Sequence, residues 1–257
     1  MKNIIISNNK GGVGKTTIAS QIVYGLAERG HSVIGVDLDS QRNFTGSFEN
    51  CKDLGSALDL VTNGTPIEAD LSAGDIGILS GHKDLLAQNS DDVLVNVRNG
   101  LSQSKAADFC VIDAPPSFSE VVYGALLGSD YLLVPIELKR FSLDGVEGVL
   151  EAFIAAQEHN PRLELLGLLP SRFDAVKQVE RDALVTVAES YERLLVPHAI
   201  RNRAAYVQAQ DAGVSLAEIK TRSGREAAAE FGAFFDWFYA KITGETGHGA
   251  QPHRHAG

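Results

Sequence analysis

Lys2-Asn3-Ile4-Ile5-Ile6-Ser7, then Lys10-Gly11-Gly12-Val13-Gly14-Lys15-Thr16-Thr17, then the amphipathic run to Arg29 closed by Gly30, reads as strand, glycine-rich loop and helix. The order is what matters. Glycines let the backbone curl so that N–H groups converge on phosphate oxygens, and the start of the following helix adds partial positive charge. Lys15 is placed to bridge β- and γ-phosphates, and Thr16 to offer its hydroxyl to Mg²⁺.

Outward from that loop, short apolar runs alternate with helix-length segments. Ser32 to Asp37, Ile76 to Leu79, Phe109 to Asp113, Tyr131 to Pro135, Leu163 to Leu169 and Leu194 to Pro197 read as further strands. Buried strands alternating with helices predict an α/β fold, a mainly parallel twisted sheet with helices on both faces, and ligands beyond the carboxyl ends of its strands. Residues 1–242 are expected to form one domain. Thr243 to Gly257 (TGETGHGAQPHRHAG) has almost no apolar content and reads as a disordered tail, with metal binding by His248, His253 and His255 as the lesser alternative.

Composition narrows the classes. Of 257 residues, 44% are hydrophobic and 22% charged, which excludes collagen-like, coiled-coil and disordered chains. No apolar run approaches the roughly 20 residues of a membrane span, and the start of the chain lacks a signal-peptide pattern, so a cytoplasmic protein is expected. Cys51 and Cys110 make neither a disulfide framework nor a four-ligand metal site. The net charge of −10 lies wholly in residues 1–159, while Arg193 to Arg225 holds six basic residues (Arg193, Arg201, Arg203, Lys220, Arg222, Arg225) against Asp211 and Glu218. By charge alone a solvated surface explains that segment better than a binding patch does.

The loop departs from the common phosphate-binding pattern in one way: Asn9 stands where glycine is usual, and Lys10 is added. This deviant form resembles the ParA/MinD group of P-loop ATPases, and the resemblance covers residues 2 to 242. It implies that Lys10 reaches across a nucleotide-sandwich dimer to the partner's phosphates. The physics agrees, because a cation lent by a second subunit makes dimerisation depend on a polyanion. Val36-Asp37-Leu38-Asp39-Ser40-Gln41 matches a stretch the family often writes D-L-D-P-Q-G-N, with Ser40 for proline and Arg42 for glycine. Asp39 is then the carboxylate that positions the attacking water and stands near the metal, and Asp37 is better read as a turn-forming or capping residue. Phe109 to Asp113, followed by Ala114-Pro115-Pro116, looks like Walker B, with Asp113 holding Mg²⁺.

Tyr131 to Glu137 with Phe141-Ser142-Leu143-Asp144-Gly145, Gly167 to Asp174, and Val196-Pro197-His198 to Gly213 resemble later family stretches. There the late loops hold adenine, which makes Arg172, Phe173, Pro197 and His198 base-contact candidates. No Asn-Lys-x-Asp guanine-reading motif occurs, so ATP is expected over GTP.

The resemblance implies a weak ATPase: Lys10, Lys15 and Asp39 act in hydrolysis, Gly11 to Thr17 hold ATP, and Thr16, Asp39 and Asp113 serve Mg²⁺. Its partners would be a second copy, DNA bound without sequence preference by the six basic residues, and a ParB-like protein that stimulates hydrolysis, on the nucleoid. With the loop starting at Lys10, no preceding helix-turn-helix for operator binding is expected. A MinD-like membrane role is the alternative. However, the aromatic segment Arg225 to Ile242 holds two basic and three acidic residues and reads more simply as a helix packed on the sheet. Nitrogenase-iron-protein-like reductases and amidoligases share the loop. Neither cysteine fits the first, Cys110 reading as core and Cys51 as loop, and the second would need a further substrate pocket.

Overall fold

The computed structural model describes residues 1–88, 90–140 and 143–245. The Phe141-Ser142 pair and residues 246–257 lie outside the described residues; of the tail expected to be disordered from Thr243 onward, Thr243 is instead the last residue of a helix.

Seven strands form one sheet: β1 (Lys2–Ile6), β2 (Val33–Asp37), β3 (Lys52–Ser56), β4 (Ile76–Ser80), β5 (Phe109–Asp113), β6 (Tyr131–Glu137) and β7 (Glu164–Ser171). Their order is β3-β4-β2-β5-β1-β6-β7, and every adjacent pair is parallel. The helices are α1 (Lys15–Glu28), α2 (Ala57–Asn63), α3 (Asp91–Gln103), α4 (Glu120–Leu127), α5 (Leu143–His159), α6 (Gln178–Tyr191), α7 (Ala204–Ala212) and α8 (Arg222–Thr243).

Alternation within β1 explains the layering. Ile4 and Ile6 pack into a cluster with Ile18 and Ile22 of α1 and Phe234 and Phe238 of α8, while Ile5 faces a second cluster with α2, α3, α4 and α5 on the other side. Both faces are thus covered, as a parallel sheet requires. Phe231, Phe234, Phe235 and Phe238 are buried on one face of α8, so this helix packs on the sheet as its aromatic spacing suggests. Cys110 is fully buried in β5, and Cys51 is half-buried in the connection to β3, matching their readings as core and loop.

Two strand expectations change. Lys52–Ser56 (KDLGS), not anticipated, is a polar and largely exposed edge strand with an irregular register against β4, so no apolar period marks it. Leu194 to Pro197 is not a strand. It meets β7 at a single bridge, Leu168 with Leu195, and with one bond from Val196 N–H to the Leu168 carbonyl; Pro197 then has no N–H to continue the ladder.

The register sets the site. β5 lies between β1 and β2, with Asp113 level with Ile6 on one side and Asp37 on the other. Two carboxylates and the start of the glycine-rich loop therefore meet at one end of the sheet.

Candidate functional site

The loop between β1 and α1 takes its shape from two left-handed glycines, Gly12 at φ +76 and Gly14 at φ +89, a region where a side chain would be strained. Gly14 caps α1 and, having no side chain, supplies no cap of its own to the first N–H groups of the helix, where an anion would be favoured. Val13 is buried beneath the loop and pins it to the core. The Lys15 side chain is buried, its Nζ donating to the Lys10 carbonyl at 3.0 Å. Burial holds the Lys15 pKa below the ordinary lysine value, against the opposing pull of Asp113 and Asp39.

Thr16 Oγ1 donates to Asp113 Oδ2 at 2.7 Å. Asp113 is buried, and its other oxygen, Oδ1, has no hydrogen-bond partner. Desolvation pushes this carboxyl up to about 8, helped by Asp37 and Asp39 and opposed by the Thr16 hydroxyl and Lys15. An orphaned buried carboxylate oxygen beside a threonine hydroxyl suits a hard divalent cation, whether bound directly or through water. The pair therefore fits Mg²⁺.

Asp37 and Asp39 divide as their sequence setting suggests. Asp37 is fully buried and accepts from the N–H groups of Asp39 and Thr45 and from Thr45 Oγ1, so it braces the turn after β2. Burial raises its pKa despite those donors. Asp39 faces the cleft, with its Oδ1 accepting from Gln41 N–H at 3.0 Å. Arg42, where the resembled family writes glycine, takes φ +59, so the glycine position is left-handed here as well.

The cleft above the loop has a volume of about 350 Å³, enough for a nucleotide-sized ligand. Gly11, Gly12, Gly14, Lys15, Thr16, Thr17, Asp39 and Arg172 line it, as the sequence suggests. Lys10 and Pro197 are not among the lining residues. At Pro197 the segment runs beside β7, with Val196 bonded to Leu168 and Ile200 to Pro170, so the chain joins the cleft lining from Ile200 onward. Phe173 and His198 are not lining residues either; His198 packs near Trp237. The far end of the cleft is built instead by Ile200, Asn202, Tyr206, Val207 and Gln210, none of which the sequence singled out.

The six basic candidates separate. Arg201 and Arg203 line the cleft: Arg203 pairs with Glu226 at 2.7 Å and Glu230 at 3.5 Å, and Arg201 with Glu230 at 3.5 Å. The buried Tyr206 hydroxyl donates to the same Glu230, and burial with that carboxylate raises the phenol's pKa. Lys220, Arg222 and Arg225 gather at the start of α8, where Arg225 Nη1 donates to the Lys220 carbonyl at 2.8 Å and Arg222 pairs with Glu226 at 3.0 Å. Arg193 lies apart, in the exposed turn after α6. One carboxylate, Glu226, therefore joins a guanidinium in the cleft wall to one on the surface.

Chemically, the arrangement is a polyanion site: Lys15, Arg172, Arg201 and Arg203 line it, and the lining Thr16 is paired with Asp113 in a carboxylate–hydroxyl pair suited to a metal. Comparison with known proteins agrees. A family model described as an AAA domain, AAA_31, matches residues 1–165. Protein IncC of Escherichia coli is 29% identical over 258 residues, spanning 94% of this chain and 70% of IncC. The chromosome-partitioning ATPase Soj of Thermus thermophilus is 30% identical over 210 residues, spanning 78% of this chain and 83% of Soj. Among solved structures, cobyrinic acid a,c-diamide synthase of Mycobacterium smegmatis with bound ATP analogue and magnesium superposes with a TM-score of 0.74 at 24% identity, over 95% of this chain and 97% of that one. At that identity the likeness is one of fold.

Proposed function

The chain belongs to the AAA_31 family and to the ParA/MinD type of partition ATPases, and from that premise we propose that its ATP-bound form is a dimer that holds DNA and positions a cargo. It is an ATP hydrolase that uses ATP and Mg²⁺.

The observation that carries the proposal is the division of labour between the two loop lysines. Lys15 is buried at the base of its own cleft, whereas Lys10, two residues beyond the Asn8 side chain that its N–H bonds, stands outside the lining of that cleft. Lys10 lies next to the phosphate loop but not in the lining of its own cleft, a placement that suits a partner's phosphates. Such a trans contact links assembly to the triphosphate.

Within each site the backbone N–H groups of Gly11 to Thr17 orient the phosphates, and Lys15 compensates their charge. Thr16 and Asp113 would hold magnesium, which supplies further compensation at the β- and γ-phosphates when bound. Asp39, at the cleft wall, orients the attacking water. No covalent intermediate is needed, so slow basal turnover and acceleration by a partner are expected.

Lys220, Arg222 and Arg225 form the DNA-facing group in this reading. A monomer of net charge −10 has little reason to bind DNA, but two such groups on one dimer face would add phosphate contacts and counterion release. Arg201 and Arg203 serve the nucleotide cleft instead. A ParB-like protein stimulates hydrolysis and release, and the complex sits on the nucleoid. The membrane alternative is disfavoured because the aromatic face of α8 is occupied by the sheet, and among the described residues no helix is long and apolar enough to cross a membrane. The test is binding of random-sequence duplex DNA and of anionic liposomes, each with ATP, ADP and no nucleotide. ATP-dependent binding to DNA alone supports the proposal; ATP-dependent liposome binding without DNA binding replaces it with the membrane reading.

A further inference from the structure

Ser171, the last residue of β7, and Arg172 just after it lie directly against the glycine-rich loop. Ser171 Oγ donates to the Val13 carbonyl, and Arg172 Nη1 donates to the Gly12 carbonyl at 2.7 Å. Arg172 does so from a left-handed backbone, φ +53, which disfavours any residue with a Cβ and persists only where surrounding contacts over-determine it. Those contacts are present on its other side. Phe173 N–H donates to the Ile200 carbonyl at 3.0 Å, and Asn202 N–H donates to the Phe173 carbonyl at 3.1 Å. Residues 171–173 therefore tie the phosphate end of the cleft to the loop that builds its far end.

The consequence follows from peptide geometry. In a trans peptide the carbonyl of one residue and the N–H of the next point in opposite directions. Tethering the Gly12 carbonyl fixes where Val13 N–H points, and tethering the Val13 carbonyl fixes where Gly14 N–H points. A loop of glycines would otherwise sample several such orientations, and ordering it would oppose nucleotide binding. We propose that Arg172 is a positioning residue for the phosphate loop: its guanidinium, held by a left-handed backbone, presets the Gly12–Val13 peptide for phosphate before nucleotide arrives. Its sequence neighbourhood suggested a role at the base, but its hydrogen bond is to the phosphate loop. A charge-assisted donor on a carbonyl is a strong tether, and a preset loop lowers the ordering cost of binding without touching the reacting atoms.

The experiment compares Arg172→Ala, Arg172→Gly and Arg172→Lys in the full chain by titration with a fluorescent ADP and Mg²⁺, alongside steady-state ATP hydrolysis. Glycine relieves the left-handed backbone while removing the guanidinium, so it keeps the fold and separates the two contributions. Ala and Gly should each weaken nucleotide binding about tenfold, and Lys, with one charged donor, should recover most of the loss. KM should rise in the same ratio, with kcat within about twofold of the parent. Parent-like affinity in Arg172→Gly would show that only the turn matters and overturn the assignment. A fall in kcat at unchanged KM would also overturn it, by placing the guanidinium in the transition state.

Discussion

Thr16 and Asp113, 97 residues apart in the chain, are joined by a 2.7 Å hydrogen bond that leaves the second oxygen of Asp113 buried and unpartnered. The strand register makes this possible, since β5 lies beside β1 and ends level with it. A carboxylate in that state gains most from a cation.

Nucleotide affinity should therefore depend on magnesium through this pair. Chelation by EDTA should weaken ATP binding about tenfold or more, and in Asp113→Ala the difference between magnesium and EDTA should disappear. Fluorescent-nucleotide titration with and without the metal measures both; a variant retaining the full magnesium effect would remove Asp113 from the metal site.

Asp37 and Asp39 should fail differently when replaced by alanine. Asp37 accepts three hydrogen bonds from the turn after β2, so Asp37→Ala should lose about 2–4 kcal/mol of stability in urea unfolding. Asp39→Ala should fold and bind ATP normally but hydrolyse it about a hundredfold more slowly. Interchanged phenotypes would reverse the two roles.

Much of this site was legible because its determinants are local. Gly12 and Gly14 suit the left-handed backbone they adopt, Asp113 ends β5, and Asp39 follows the end of β2 by two residues. Long-range ion pairs were not legible: Arg203 meets Glu226 and Glu230 only after α7 and α8 fold together, so a run that looked basic in sequence is partly neutralised and partly turned into the cleft. Pro197 falls outside the cleft lining because its chain travels beside β7 before reaching the cleft at Ile200, a path that residue type does not encode. The edge strand Lys52–Ser56 escaped for the opposite reason, since an exposed edge carries no apolar signature.

DNA binding should respond to the start of α8. Charge reversal at Arg222 and Arg225 together should abolish ATP-dependent binding to random duplex DNA and leave nucleotide affinity intact, and parent DNA binding should weaken steeply with salt. Fluorescence anisotropy across a salt series reads both; an unchanged DNA affinity in the double variant would move the binding surface elsewhere.

Thiol chemistry gives an independent check on the core. Burial pushes the Cys110 thiol up to about 12 and also raises that of the half-buried Cys51. A raised pKa keeps the thiol protonated and unreactive at neutral pH. At pH 8 in native buffer Cys110 should not react with a thiol reagent, Cys51 should react slowly and faster as pH rises to 9, and both should react at once in urea. Two rapid equivalents from the native protein would contradict the burial of Cys110 in β5.

The measurement that bears most directly on the whole account is molar mass by light scattering, with saturating non-hydrolysable ATP analogue and magnesium, for the parent and for Lys10→Ala. The account predicts a dimer for the parent, a monomer with ADP, and a monomer for Lys10→Ala even with the analogue bound. A parent that stays monomeric with bound analogue, or a Lys10→Ala variant that dimerises as the parent does, would contradict it.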